Sequence, residues 1–160
     1  MLFRSTGMSV LNSEMFVVQG GVWSPRVNVF NTNNFTWTRN ITITGSSDSA
    51  IWVVVASPQY NCLYVSDPGL RAVHLYNLSN NVITQWYVGG WCYGLSLTST
   101  YNVLVTLYDT RRVKEYLPDG SKRIREIILD GSIEYPYHTV QLSRDRLVVS
   151  HGVDHCTECV

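Results

Sequence analysis

The chain has 160 residues, a single-domain length, of which 45% are apolar, 12% aromatic and only 15% charged. Twelve basic and twelve acidic side chains cancel to zero net charge, so no global field draws it to nucleic acid or to an anionic membrane. The apolar content excludes a disordered chain, and no run approaches the roughly 18 apolar residues of a membrane-spanning helix.

The opening, MLFRSTGMSVLNSEMF, lacks the apolar stretch and small-residue cleavage site of a secretory leader. A cytoplasmic protein is therefore expected, with Cys62, Cys92, Cys156 and Cys159 as free thiols rather than a disulfide framework. Sequons at Asn34, Asn40 and Asn77 occur at about the frequency that chance gives in so Asn-, Ser- and Thr-rich a chain.

No stretch carries apolar residues at helical spacing. The chain instead offers short runs of Val, Ile, Thr, Tyr and Trp, parted by Gly, Pro, Asn, Asp and Ser, which predict strands and turns. The first strand, GMSVLNS, precedes MFVV at 15–18. After it come VNVF at 27–30, the turn NTNN and the strand FTWTRNITI. The series then recurs. IWVVVAS (51–57) leads to LYVS (63–66), VHLY (73–76), NLSNN and VITQWYV. CYGLSLT (92–98) leads to VLVT (103–106), VKEY (113–116), LPDGS and KRIREIIL. YHTVQLS (137–143) leads to LVVS (147–150). The anchor strands at 15, 63, 103 and 147 are separated by 48, 40 and 44 residues.

A period near 40–45 with four strands per unit predicts a β-propeller blade. One blade cannot bury both faces of its sheet, and stacking on its neighbours does so. The expected fold is therefore all-β: one partial propeller over residues 1–160, an incomplete ring of four-stranded antiparallel blades. Its repeats fall near 8–43, 51–88 and 92–129, with a half blade at 137–151 and an irregular tail at 152–160.

The segments YGLSLTSTYNVLVTLYDTRRVKEYLPDGSKRIREIIL and NCLYVSDPGLRAVHLYN resemble the NHL-type repeat of six-bladed propellers, and MFVVQGGVWSPRVNVFN follows it more loosely. A six-bladed ring of this period needs about 260 residues. The resemblance thus implies either part of a longer protein, which the broken pattern in SHGVDHCTECV favours, or self-association that covers two bare apolar blade faces.

Candidate chemistry is sparse. His151, His155, Cys156 and Cys159 lie close in sequence. However, the adjacent His155 and Cys156 are hard to aim at one ion, so no metal and no cofactor are expected. Arg111, Arg112, Lys114, Lys122, Arg123 and Arg125 read as a solvated rim balanced by Glu115, Asp119 and Glu126. Trp37, Trp52, Trp86 and Trp91 read as packing between blades, and Asp67 and Asp109 as turn caps. The strands expected to lie innermost carry no carboxylate for a calcium site, and no Ser-His-Asp set or phosphate loop is recognisable.

The functional expectation is a non-enzymatic scaffold that captures protein partners through loops such as 20–26, 67–71 and 107–111. Trp23, Arg26, Arg111 and Arg112 are its contact residues. An RNA-binding propeller, implied by the NHL resemblance, and a fragment of a lactonase-like hydrolase are the alternatives.

Overall fold

The structure, a computed structural model, describes residues 4–20, 25–43 and 47–152. Fourteen strands and no helix lie among the described residues. Arg4–Leu11 (β1), Glu14–Gly20 (β2), Arg26–Asn31 (β3) and Trp37–Thr42 (β4) form the first sheet. Val54–Ser57 (β5), Cys62–Asp67 (β6), Ala72–Asn77 (β7) and Ile83–Tyr87 (β8) form the second. Cys92–Leu97 (β9), Val103–Leu107 (β10), Arg112–Tyr116 (β11) and Arg123–Ile128 (β12) form the third. Pro136–Ser143 (β13) and Arg146–His151 (β14) make a two-stranded fourth. Each sheet is an antiparallel meander in sequence order, and β1, β5, β9 and β13 pack against one another in turn. Those four strands therefore line the axis, and β4, β8 and β12 form the outer edge. The sheets are arranged as propeller blades and do not close into a ring.

The repeat is visible in the backbone as well as in the pattern. Asn61 and Tyr101, forty residues apart, both adopt left-handed φ (46° and 62°) in the turn between first and second strands. Arg71 and Arg111, again forty apart, do so (52° and 51°) in the turn between second and third strands. A non-glycine residue rarely adopts that φ, so two matching pairs mark one turn geometry used twice.

Blade stacking explains the strands that lack a polar face. All six residues of β6 are buried. Leu63 and Val65 pack towards the first blade with Phe16, Val18, Val27 and Val29. Cys62 and Tyr64 point the other way, into a cluster with Val103, Val105 and Leu107 of the third blade. Because β10 is likewise sandwiched, it too reads as an unbroken apolar run.

The inner strands approach closely. A Cβ on Gly7 would lie 2.8 Å from Val53 Cα, and one on Gly94 would lie 2.4 Å from the Tyr137 carbonyl oxygen. Only glycine permits either crossing. Ser9 Oγ then accepts from the Ala56 N–H (2.9 Å) across the first interface. At the last, Ser96 Oγ donates to the Thr139 carbonyl (2.6 Å) and Thr106 Oγ1 to Thr139 Oγ1 (2.9 Å).

Of the tryptophans expected to pack between blades, Trp86 does so, set against Tyr64 and Tyr116. Trp37 does not: it lies on an outermost strand, 58% exposed, with its indole N–H on Asn40. Trp52 meets the next blade edge to face on Tyr93, but like Trp91 it stays partly exposed, at the mouth of the axis. Among the described residues no helix is long and apolar enough to cross a membrane.

Candidate functional site

An inner strand begins where the chain comes in from the outer edge of the preceding blade. At this end of the sheets the connections carry aromatic residues near each inner strand: Trp52 before β5, Trp91 and Tyr93 at β9, and Tyr135 and Tyr137 at β13. Tyr108, from the turn after β10, sits among them. Trp52 meets Tyr93 edge to face at 5.0 Å between centroids, and Tyr93 meets Tyr108 likewise at 5.0 Å. Tyr108 lies 5.2 Å from Tyr135 and 5.4 Å from Tyr137, and Trp91 stacks on it at 6.3 Å. These are ordinary separations for interacting rings.

Rings in a core would be hidden, but Trp52, Trp91 and Tyr137 are 36%, 42% and 44% exposed. The result is a continuous aromatic face at the axis. Burial, with Tyr137 and Asp109 nearby, pushes the Tyr93 phenol up. It therefore stays protonated at neutral pH.

Hydrogen bonds fix the face from behind. The Tyr108 N–H donates to the Trp91 carbonyl (2.9 Å), and the Trp91 N–H donates to Asp109 Oδ1 (2.9 Å). A Cβ on Gly90 would stand 2.6 Å from that same oxygen, so glycine is what lets the carboxylate reach in. Beside the rings a cleft of about 160 Å³ is lined by Tyr108, Asp109, Arg111, Glu134 and Tyr135. It is a polar corner to an apolar face. The left-handed φ of Arg111 is a property of the repeat turn, because Arg71 shares it, and carries no functional signal of its own.

The preceding blade holds its own incoming connection with Asp67. Its carboxylate accepts from Ser49 Oγ (2.6 Å), the Ala50 N–H (2.9 Å) and the Leu70 N–H (3.1 Å), and His74 Nε2 lies 3.1 Å away. Ser49, Asp67 and His74 are all buried. Serine, aspartate and histidine together invite a nucleophilic reading, but the geometry excludes it. In a catalytic triad the imidazole stands between the other two, ready to take the serine proton. Here the aspartate is the hub, and no solvent reaches any of the three. The set is a structural clamp. Burial alone would raise the Asp67 carboxyl, but the imidazole, the hydroxyl and two backbone N–H groups outweigh it and hold the carboxyl below the usual range. Burial also pushes the Cys92 thiol up to about 12. It is a core group, like Cys62.

The residues singled out in the sequence are not brought together. Trp23 lies outside the described residues. Arg26, on β3 of the first blade, is spent on Gln19 (Nε to Oε1, 2.9 Å) and does not line the aromatic face. Arg112 pairs with Glu126 on the outer strands. Arg111 is the member of the set that reaches the site. His151 is exposed on β14, while His155, Cys156 and Cys159 lie outside the described residues. The basic segment is internally committed: Arg123 pairs with Glu126 (2.5 Å), Arg125 with Glu115 (2.5 Å), and Lys114 Nζ donates to the Val88 carbonyl (2.7 Å).

The aromatic face itself was missed in the sequence. Its signal is periodic: Trp52, Tyr93 and Tyr137 recur near the start of β5, β9 and β13 at steps of 41 and 44 residues.

No protein-family model matches the chain, and no curated protein matches it. Solved structures do. Virginiamycin B lyase from Staphylococcus aureus, in a catalytically inactive histidine-to-alanine form with quinupristin, aligns at a TM-score of 0.76 and 15% identity. The alignment covers 93% of this chain and 49% of that one. A streptogramin B lyase aligns at 0.71 and 11% identity, covering 84% of this chain and 44% of that one. A dihydro-haem d1 dehydrogenase aligns at 0.65 and 14% identity, covering 81% of this chain and 28% of that one. The chain therefore spans about half or less of each. All three are enzymes by name, which overturns the expectation of a non-enzymatic scaffold. That expectation rested on the absence of recognisable catalytic motifs, and a propeller site assembled from several blades leaves no such motif in one stretch of sequence. At these identities the likeness establishes the fold: this chain is a stretch of β-propeller.

Proposed function

We propose that the chain forms part of a propeller enzyme, and that its aromatic face at the axis binds an apolar, ring-bearing ligand. The observation that carries this reading is the convergence of six rings, Trp52, Trp91, Tyr93, Tyr108, Tyr135 and Tyr137, from the starts of three successive inner strands and the turn after β10 onto one accessible surface. Aromatic walls bury much ligand surface at little entropic cost, and a few polar groups then set orientation. Asp109, Arg111 and Glu134 occupy that second role, at the edge of the face.

Further blades complete the ring on this reading. Met8 and Val10 on one end sheet, and Val140, Leu142 and Val148 on the other, present exposed apolar surface of the kind that blades bury against one another. The lyases that this chain resembles are about twice its length. We take the repeat to be NHL-like on its third strands VNVF, VHLY and VKEY, each opening on Val and closing on an aromatic residue, and the buried free thiols Cys62 and Cys92 suit a reducing cytoplasm.

Quinupristin, the ligand present with one similar structure, is the probe for the test. Saturable quenching of tryptophan fluorescence is expected, at least tenfold weaker in Trp91→Ala and in Tyr108→Ala. Mass spectrometry of the ligand reads any conversion. Absence of saturable binding to folded protein, or affinity unchanged in both variants, would overturn the reading.

A further inference from the structure

At the other end of the sheets, remote from the aromatic face, the second and third blades part to leave a cleft of about 380 Å³. Its floor is formed by β6 and β7, where Cys62 pairs with Asn77 and Tyr64 with Leu75. Its roof is the turn at 117–119, which the third blade extends over the second. Two contacts hold that roof. Tyr64 Oη donates to the Pro118 carbonyl (2.8 Å), and Gly120 sits so close to Trp86 that a Cβ there would fall 2.3 Å from the indole. Gly120 also needs its left-handed φ of 72°. The cleft is thus built by fixed packing, in the size range of about 300–1,000 Å³ that binds small molecules.

Its chemistry has a sign. Asp119 is the charged residue in the lining, and no lysine, arginine or histidine joins it. Ser121 donates its hydroxyl (2.7 Å) and its backbone N–H (3.0 Å) to one Asp119 oxygen, which holds that carboxyl below the usual range and so anionic at neutral pH. The Asn77 carbonyl oxygen is engaged by the N–H groups of Ser79 and Asn80 (2.8 and 3.3 Å), which leaves its amide NH2 to face a ligand. Burial keeps the Cys62 thiol neutral. The remaining walls are Leu75, Leu117, Pro118 and the rings of Tyr60 and Tyr64.

We propose that this cleft between blades is a second ligand site, specific for a small primary amine on a flat apolar body. The flat body lies against Tyr60, Leu75, Leu117 and Pro118, and the ammonium group stays at the rim on Asp119. A carboxylate on the same body would meet Asp119 with no cation to offset it. The site needs only the second and third blades and does not depend on the reading of the aromatic face.

Two indoles of opposite charge, tryptamine and indole-3-propionate, test this on the full chain by amide chemical-shift mapping. Saturable tryptamine binding is expected, with shifts centred on residues 62–64, 75–77 and 117–119. Indole-3-propionate should bind at least tenfold more weakly, and Asp119→Asn, whose oxygen still accepts from Ser121, should weaken tryptamine about tenfold with an unchanged melting temperature. No saturable binding, equal affinity for the two indoles, or shifts centred on Trp91 and Tyr93 would each overturn the proposal. The comparison of the two indoles needs no variant, so it stands even if Asp119→Asn fails to fold.

Discussion

Gly94→Ala probes both the propeller packing and the placement of the site. A methyl at this position of β9 would lie 2.4 Å from the Tyr137 carbonyl oxygen, 2.7 Å from His138 Cα and 3.0 Å from Thr106 Oγ1. Two of these atoms belong to the backbone of β13, so no rotamer change relieves the clash. Ordinary contact begins near 3.4 Å, and β13 must therefore withdraw by about 1 Å. That shift stretches the bonds that Ser96 and Thr106 donate to Thr139, now 2.6 and 2.9 Å, past useful length. Overpacking costs about 1–3 kcal/mol, and each buried hydrogen bond left unmade adds about 1–3 kcal/mol. A partly relaxed strand should lose roughly 3–5 kcal/mol, or about 6–20 °C in melting temperature for a chain of this size. Urea denaturation followed by circular dichroism measures it. Gly131→Ala is the control: its added Cβ meets nothing within 4 Å, and the change should stay within about 0.5 kcal/mol. A loss below about 1 kcal/mol in Gly94→Ala would refute the close crossing of inner strands.

The Asp67 clamp carries a pH signature. A carboxyl held below its unfolded value stabilises the fold above about pH 4, and that contribution fades as pH falls through the folded value. Asp67→Asn should therefore lower stability at pH 7 by about 1–3 kcal/mol, because the buried Ser49 and His74 lose their carboxylate partner, and flatten the acid limb of a stability–pH curve. An acid limb unchanged from the parent would contradict the clamp. Tyr101→Asn places at the left-handed turn position (φ 62°) the residue type that its counterpart Asn61 already supplies. A gain of about 0.5–1 kcal/mol in thermal unfolding is expected. Asp109→Ala removes the acceptor of the Trp91 N–H at an exposed position. It should cost about 1 kcal/mol of stability or less, yet weaken ligand capture by the aromatic face several-fold in a fluorescence titration.

The fold was legible because blade stacking writes itself into composition. β6 and β10 are apolar on both faces since a blade lies on each side, and the repeat of that run every 40–48 residues points to propeller blades. The turn residues were legible for the same reason: Asn, Asp and Gly cluster where the chain must reverse. The site was not. Trp52 and Trp86 look alike in hydropathy, but one stands at the end of an inner strand and the other lies on an outer strand under the next blade's turn. Only the ring geometry separates them. The Ser49–Asp67–His74 clamp was hidden likewise, since its members come from a connection and two different strands. The basic segment at 111–125, read in the sequence as a balanced rim, is committed within the protein: four of its members are spent on Glu115, Glu126 and a backbone carbonyl.

Indole N–H resonances offer the most direct test of the central claim, because the described tryptophans divide cleanly by position. Trp52 and Trp91 stand on the aromatic face, Trp86 lies between blades and Trp37 sits on the outer edge. A nitrogen–proton correlation spectrum of the full chain, titrated with quinupristin and assigned by single Trp→Phe variants, reads all of them at once. The account predicts saturable shifts of the Trp52 and Trp91 indoles, with Trp37 and Trp86 unmoved. Shifts confined to Trp37 or Trp86, or none at ligand excess, would contradict it.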